Sequence, residues 1–538
     1  MHWLSQSLAV LPNTFLLAWG WQRRILCVLC GAATAFALPP YGLIPVLAIT
    51  FPCLVWLLDG AVEPGPGKAY KRLRTGFALG WLFGFGYFLS GLWWIGAAFL
   101  VEAERFAWLM PFAVLAMPVG LALFTGLGVA LAALLWTDRF HRIVLLAACL
   151  ALSDWLRGHV LTGFPWNAFG YGVSGSLTLS QAASLVGIYG LSFLTLALAA
   201  SPAVLADARP LRQRLRALGG AVACLALVLV YGAVRLAGVE TQEAALDIRI
   251  VQPSIDQKDK WRPELRDRIF QTYLDMTEAP LGGSARVGMP RLVVWPESAV
   301  PFLLTQEPGA LYRVAAALGE GSELVTGAIR AEADAAGARY FNSVYLIGGD
   351  GTVHSVYDKV RLVPFGEFVP FRSLFDRLGI AGLAGPLEGF EAGYQQRMMS
   401  SAGGAGFVPL ICYEAIFPVN PPEEAGAPSF LLNVTNDAWF GRTPGPYQHF
   451  AQSRMRAIET GLPLVRAANT GISAIVDGKG EVIDSLSVFE KGVIDGRLPR
   501  QLGKTVYGRF GDAPFLVTAI LIVFFTGIFR YNRCSRVD

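Results

Sequence analysis

A glutamate, a lysine and a cysteine stand in that chain order beside apolar runs: Glu297 in RLVVWPESAVP, Lys359 in VYDKVRLVPFGEFVP and Cys412 in PLICYEAIF. Cysteine suits nucleophilic acyl transfer because its thiolate is strong and its thioester reactive, provided something nearby helps the thiol ionise. A lysine cation, or a helix N-terminus after the strand, supplies that help, and a lysine also holds the oxyanion of a tetrahedral intermediate. Glu297 follows Trp295-Pro296. Proline ends a strand ladder and fixes the backbone, so this carboxylate projects from the strand end, in an apolar, aromatic setting, where a general base belongs. Cys412 is the only cysteine between Leu225 and Arg533, so no internal disulfide is open to it within that span. Each residue alone also has a plain reading: a core thiol, a surface glutamate, a solvated loop lysine. Their shared setting and order argue instead for a base, an electrophilic cation and a nucleophile.

Such groups need a rigid scaffold. From LDIRIVQ at 246–252 the chain turns to short β-rich runs, with further strands expected at 291–295, 323–329, 342–348, 352–358, 407–412, 429–434, 464–468, 472–477 and 481–486. Helical patterns fall near 263–279, 308–319 and 448–461. Strands alternating with helices imply an α/β domain, and continuous apolar runs such as LVVW and FLLNV imply strands covered on both faces. Polar, Gly-, Ala- or Pro-rich stretches at 280–290, 331–339, 401–406 and 420–428 are expected as loops. No internal repeat is evident.

The rest of the chain is membrane-like. Of 538 residues, 54% are hydrophobic and 16% charged, and the mean hydropathy is +0.47, too apolar for a soluble protein. Apolar segments near 24–38, 43–60, 76–101, 107–136, 142–157, 178–206, 215–237 and 512–530 give eight expected spans, at about 20 apolar residues per crossing. Residues 3–21 suit an interfacial position. Arg23-Arg24 before an apolar run resembles a cleavable signal, but Pro39-Pro40 follows at once and the eight-span count requires the segment. Positive charge alternates: Arg23 and Arg24; Lys68, Lys71, Arg72 and Arg74; Arg139 and Arg142; Arg209, Arg212, Arg214 and Arg216; and Arg530, Arg533 and Arg536 all fall on one side. By the positive-inside rule both termini are cytoplasmic and the region between spans seven and eight faces the far side. The division expected is a membrane bundle over 1–238, an extracytoplasmic catalytic domain over 239–511, and a last span with a cytoplasmic tail over 512–538.

Other chemistries are set aside. A net charge of +4 with no basic stripe gives no sign of nucleic-acid binding. The five histidines are scattered, and Cys27, Cys30, Cys53, Cys149 and Cys224 fall in apolar spans as small hydrophobes, so no metal or cofactor is expected. Asp154 and Arg157 lie three apart near the end of the fifth span, as a functional pair or a structural one at the membrane edge. His449 reads as a structural hydrogen-bonder rather than a second base.

In WPESA, YDKVRLVPFGEFVP, ICYEAIF and NVTNDAWFG, together with LTGFPWNAFGY at 161–171, the chain resembles the nitrilase superfamily and, within it, the membrane-embedded apolipoprotein N-acyltransferases. That resemblance spans essentially the whole chain. It implies an αββα nitrilase-like domain carried by a multi-span helical bundle in a bacterial inner membrane, the domain being periplasmic. It implies a ping-pong acyltransferase with Glu297 as base, Lys359 as transition-state stabiliser and Cys412 as the acylated nucleophile. Glu367 and Glu414 match auxiliary positions near the active site. Tyr413 and Trp261 match aromatic positions around the substrate, though packing alone would also explain them. The implied partners are a phospholipid acyl donor and a diacylglyceryl-modified apolipoprotein, with the enzyme a monomer. The segments 161–171 and 436–441 would then wall the site from water or serve as turns and anchors. The competing functions are a membrane-tethered amidase, which the same triad permits but which has no use for seven spans, and a transporter or sensor with a degenerate domain. The latter would be expected to have lost part of the triad and to show paired broken helices.

Overall fold

The computed structural model describes residues 11–63, 68–238, 243–282, 291–334, 337–370, 377, 389–420 and 426–534. The chain divides into two compact units, one of Met1–Gly238 with Thr505–Asp538 and the other of Val239–Lys504.

The first unit is helical. Its long helices are Gly20–Thr34, Leu47–Asp59, Ala69–Leu92, Met110–Leu134, His141–His159, Ala183–Ala200, Leu211–Ala237 and Ala513–Cys534. Among the described residues four helical stretches are long and apolar enough to cross a membrane: Ala69–Leu100, Ala103–Leu134, Ala183–Ala206 and Leu211–Ala237. Ile44–Asp59 and Ala513–Ile528 are shorter apolar helices. The helix at 69–92 begins seven residues earlier than the apolar run does, because its first turns carry Lys71, Arg72 and Arg74, which hydropathy cannot recognise as helix. Residues 3–10 of the expected interfacial segment lie outside the described residues.

Close packing in this unit comes from glycine. A Cβ on Gly76, Gly80 or Gly84 would lie 2.5, 2.6 and 2.8 Å from the Cβ atoms of Ala133, Val129 and Thr125. Small residues every fourth position thus let the 69–92 and 110–134 backbones meet, as lipid-embedded helices require when no hydrophobic force drives them together. Several polar groups in the interior are paired. Arg142 binds Asp59 at 3.0 Å and Asp207 at 2.6 Å. Arg157 binds Asp154 at 2.9 Å and also donates to the carbonyls of Phe164 and Trp166. Asp154 in turn accepts from Phe169 N at 2.8 Å. The Asp154–Arg157 pair is therefore structural: it pins segment 161–171 onto the helix that carries it.

The second unit holds two six-stranded sheets. In chain order the strands are β1 Glu243–Gln252, β2 Arg291–Val294, β3 Ser322–Asp334, β4 Gly337–Gly348, β5 Val353–Asp358, β6 Met399–Ser400, β7 Gly406–Ile411, β8 Phe430–Thr435, β9 Leu464–Ala468, β10 Ser473–Val476, β11 Val482–Leu486 and β12 Gly492–Pro499. The sheet orders are β12-β1-β2-β3-β4-β5 and β11-β10-β9-β8-β7-β6. In the first, β1, β2 and β3 are parallel and the flanking pairings antiparallel. In the second, β7, β8 and β9 are parallel and the rest antiparallel. The two halves share one pairing pattern, a repeat that divergent side chains conceal in the sequence.

Alternation along each strand builds three apolar layers. Ile248, Ile250, Leu292 and Val294 of the first sheet meet Phe407, Ile411, Leu432 and Val434 of the second in a central core. Val251, Val293 and Trp295 pack outward on the helices Arg266–Glu278 and Pro308–Leu318. Val408, Leu410 and Leu431 pack outward on the helix Gly445–Thr460. Each such aliphatic side chain, fully buried, contributes about 1.5–3 kcal/mol. The result is an αββα sandwich. Two expectations are corrected. The stretch 331–339, expected as a loop, is largely strand: β3 and β4 pair out to Asp334 and Gly337, with Glu332 opposite Arg339. These arms are mostly exposed, so cross-strand pairing holds them without an apolar face. β12 was not expected as a strand at all. Its GVIDGRLP carries two glycines and a proline, yet it pairs antiparallel with β1 at the sheet edge, where such residues are tolerated. Most of loops 280–290 and 420–428 (283–290 and 421–425) lies outside the described residues.

Candidate active site

Glu297, Lys359 and Cys412 are brought together at strand ends. Glu297 follows β2, Lys359 follows β5 and Cys412 follows β7. The carboxyl ends of parallel strands are the usual ligand face of α/β sheets, because backbone groups there are released from the ladder.

Glu297 is held from three directions. Oε1 accepts from Asn342 Nδ2 at 2.8 Å and from Lys359 Nζ at 3.4 Å, and Oε2 accepts from Asn436 N at 2.9 Å. Its setting is polar rather than the apolar, aromatic one expected, because Trp295 turns outward and the proline swings Glu297 toward these donors. The turn needs room. A Cβ on Gly327 of β3 would lie 2.5 Å from Glu297 Cα, and Ser298 takes the left-handed region at φ 46°. Lys359 is 1% exposed. Its Nζ donates to Glu367 Oε1 at 2.8 Å as well as to Glu297. Burial works against its ammonium, but Glu367, Glu297 and Cys412 outweigh that and push its pKa up, so it is a cation throughout the accessible range.

Cys412 has φ 48°, a left-handed conformation that costs a non-glycine residue about 1–3 kcal/mol. It opens the 3₁₀ turn Cys412–Ile416 directly after β7. Burial, and then Glu297, push its pKa up, with Lys359 opposing. The resting residue is therefore a thiol, and it could act as a nucleophile only if a base took its proton.

The strained elbow is braced by two groups. Glu414 is buried and accepts from Ile411 N at 2.8 Å, Val360 N at 2.8 Å, Arg361 N at 3.2 Å and Tyr357 Oη at 2.9 Å. Burial raises its pKa, the backbone donors opposing. Each of these donors is met by one of its two carboxyl oxygens. It thus ties the turn after β7 to the segment after β5, fixing Cys412 against Lys359 without touching the sulfur. Second, His449 places Nε2 3.1 Å from the Cys412 carbonyl and Nδ1 2.8 Å from Asp437 Oδ1. Burial raises the Asp437 pKa, but Arg466 at 2.7 Å and His449 outweigh it and bring it down to about 2. His449 is a hydrogen-bonder to the elbow's backbone, placed behind the thiol.

The two aromatic candidates separate. Tyr413 is 6% exposed and packs edge-to-face on Phe417 at 5.1 Å. Trp261 is 46% exposed, so packing does not account for it. Segment 436–441 borders the site through Asn436. Three further polar residues border the site. Asn342 bridges Glu297 and Glu367 through one Nδ2, at 2.8 and 2.9 Å. Lys260 reaches the Glu297 carbonyl. Arg466 neutralises Asp437. An asparagine in the apolar strand YFNSVYLIG and an arginine in LVRAA were the available clues, since buried strands do not carry such groups idly. Among the described residues no group of three His, Cys, Asp or Glu is arranged to hold a metal ion. What the geometry can do is move a proton from sulfur to a carboxylate beside a fixed cation, the requirement of acyl transfer through a thioester.

Comparison with known proteins agrees with this chemistry. Residues 30–201 match the family model described as apolipoprotein N-acyltransferase N-terminal domain, and residues 247–506 match that of carbon-nitrogen hydrolase. A protein of Bradyrhizobium diazoefficiens named apolipoprotein N-acyltransferase is 46% identical, the alignment covering 96% of this chain and 97% of that one. One of the same name from Rhodopseudomonas palustris is 44% identical over 96% and 97%. Among solved structures, an amidase from Nesterenkonia sp. aligns at 20% identity and a TM-score of 0.34, over 52% of this chain and 98% of that one.

Proposed function

The chain belongs to the apolipoprotein N-acyltransferase family and catalyses N-acylation of lipoproteins, and from that premise we propose that Glu297, Lys359 and Cys412 carry the reaction. The single observation behind this assignment is that Glu297 and Lys359, 62 residues apart in the chain, meet at 3.4 Å, and both act electrostatically on Cys412.

The reaction runs in two halves. Glu297 takes the Cys412 proton as sulfur attacks an ester carbonyl of a membrane phospholipid. The carbonyl π electrons move to oxygen, where Lys359 holds the oxyanion. The intermediate collapses, the C–O ester bond breaks, and Glu297 returns the proton to the departing lysophospholipid. The N-terminal amine of a diacylglyceryl-cysteine lipoprotein then attacks the thioester. Glu297 accepts the amine proton, the C–S bond breaks, and the thiol is restored beside a new amide. Glu367 keeps Lys359 in place and Glu414 holds the elbow, while Trp261 lies exposed to meet substrate. One chain supplies every residue named, so a monomer suffices. Purified protein given a phospholipid and a diacylglyceryl lipopeptide should add one acyl chain to the peptide amine and release one lysophospholipid. Release of free fatty acid with no acylated peptide would identify a hydrolase instead.

For topology we propose eight spans with both termini cytoplasmic and residues 239–511 on the periplasmic side of a bacterial inner membrane. The support is the regular alternation of lysine and arginine between apolar helices. Reporter fusions after Gly238 and after Arg530 should give opposite sides. A cytoplasmic signal from a fusion within 239–511 would overturn this arrangement.

A further inference from the structure

A buried lysine beside Glu297 takes no part in the reaction above. Lys260 closes the short helix Gln257–Lys260 and is 1% exposed. Its Nζ donates to the main-chain carbonyl of Glu297 at 3.1 Å. A buried ammonium is costly and persists where it meets negative charge, yet among the described residues this one bonds no carboxylate. It has three donors and, among the described residues, uses one. Its charge acts on Glu297 and on Cys412. Lys359, by contrast, is already engaged: it stays 2.8 Å from Glu367, a carboxylate that takes no part in proton transfer. The site thus holds two carboxylates against Lys359. When negative charge leaves Glu297 for sulfur and then for the substrate oxygen, Lys359 remains shared with Glu367.

We propose that Lys260 is the second cation of the acyl-transfer centre, anchored on the Glu297 carbonyl so that its free N–H groups stabilise the negative charge passing through the Cys412 sulfur to the reacting oxygen. This rests on the assignment of Cys412 as nucleophile. Burial pushes the Lys260 pKa down to about 8, with Glu297 and Cys412 opposing. Those are the charged groups facing it from other elements; Lys359 and Asp437 also act on Cys412, and Lys258 and Asp259 share its own helix. Below about pH 8 the ammonium is charged and acylation is supported; as pH rises through that value the support is lost.

The test is the single-turnover rate of Cys412 acylation by phospholipid alone, read by intact mass on the full-length protein from pH 6 to 10. No amine acceptor is present, so its titration cannot intrude. Lys260→Met should acylate about 10- to 100-fold more slowly than wild type at pH 6–7, as expected for loss of one nearby charge in a site of intermediate dielectric. That gap should narrow above pH 8, where wild type loses the charge too. Lys260→Arg keeps its charge and should hold its rate beyond the pH at which wild type declines. A Lys260→Met profile matching wild type, or a Lys260→Arg rate declining in step with wild type, overturns the proposal. If Lys260→Met does not fold, the Lys260→Arg profile decides alone. A wild-type protein that transfers acyl chains yet forms no Cys412 adduct overturns the nucleophile assignment itself, an outcome distinct from both.

Discussion

Replacing Cys412 by alanine will abolish acyl transfer while leaving the fold in place. The side chain removed is small and partly exposed, and the elbow is braced through backbone and Glu414 contacts that alanine preserves. No second thiol is at hand within the catalytic unit, whose only cysteine is Cys412. Transfer should fall to background in a lipopeptide acylation assay. Cys412→Ser should retain at most a trace, because a hydroxyl is far harder to ionise and its ester reacts less readily with an amine than a thioester does. Full transfer by a folded Cys412→Ala protein would remove the thiol from the mechanism.

Lys359→Ala should cost about 10²–10³ in the acylation rate, or roughly 3–4 kcal/mol, the usual loss when one oxyanion-stabilising group is removed. The loss has two sources. The oxyanion loses its cation, and Glu297 and Glu367 are left facing each other across the Asn342 amide with no positive charge between them. Lys359→Arg should not restore the rate, since a planar fork cannot occupy a pocket in which one nitrogen reaches both carboxylates. Glu297→Gln should also slow acylation by a comparable factor, because an amide cannot accept the thiol proton through its nitrogen. Single-turnover acylation of folded protein checks all three. A rate within a few-fold of wild type for Lys359→Ala would place the oxyanion elsewhere.

How far the sequence carried these conclusions depended on whether chemistry or packing was at stake. Glu297, Lys359 and Cys412 stood out because each lies beside an apolar run, where an ionisable side chain is expensive unless it is paired or has work to do. Strands β2 and β8 were legible from their continuous apolar runs, LVVW and FLLNV. Strand β12 was not, since its glycines and proline mask an edge pairing that only β1 creates. The 331–339 hairpin was missed because its exposed arms have no apolar face for periodicity to reveal. Lys260 looked like one of several charges in QKDKW; nothing in the spacing says that of these it is Lys260 that turns inward while its neighbour Trp261 turns out. Asn342 belongs to the same class, a partner fixed by tertiary contact between β4 and the turn after β2. In the helical unit the apolar cores of the helices were visible, but their charged first turns were not.

The most direct measurement is acyl-donor labelling with no acceptor present. Purified protein is incubated with a phospholipid labelled in its acyl chains, quenched, and the label located by mass spectrometry of peptides. Label is expected on the Cys412 peptide of wild type, removed by hydroxylamine, accompanied by one lysophospholipid per label, and absent from Cys412→Ala. Label on Cys412→Ala, or an active wild type that takes up no label until the lipoprotein amine is added, would contradict an acyl-enzyme at Cys412 and point to direct transfer between two lipids bound at once.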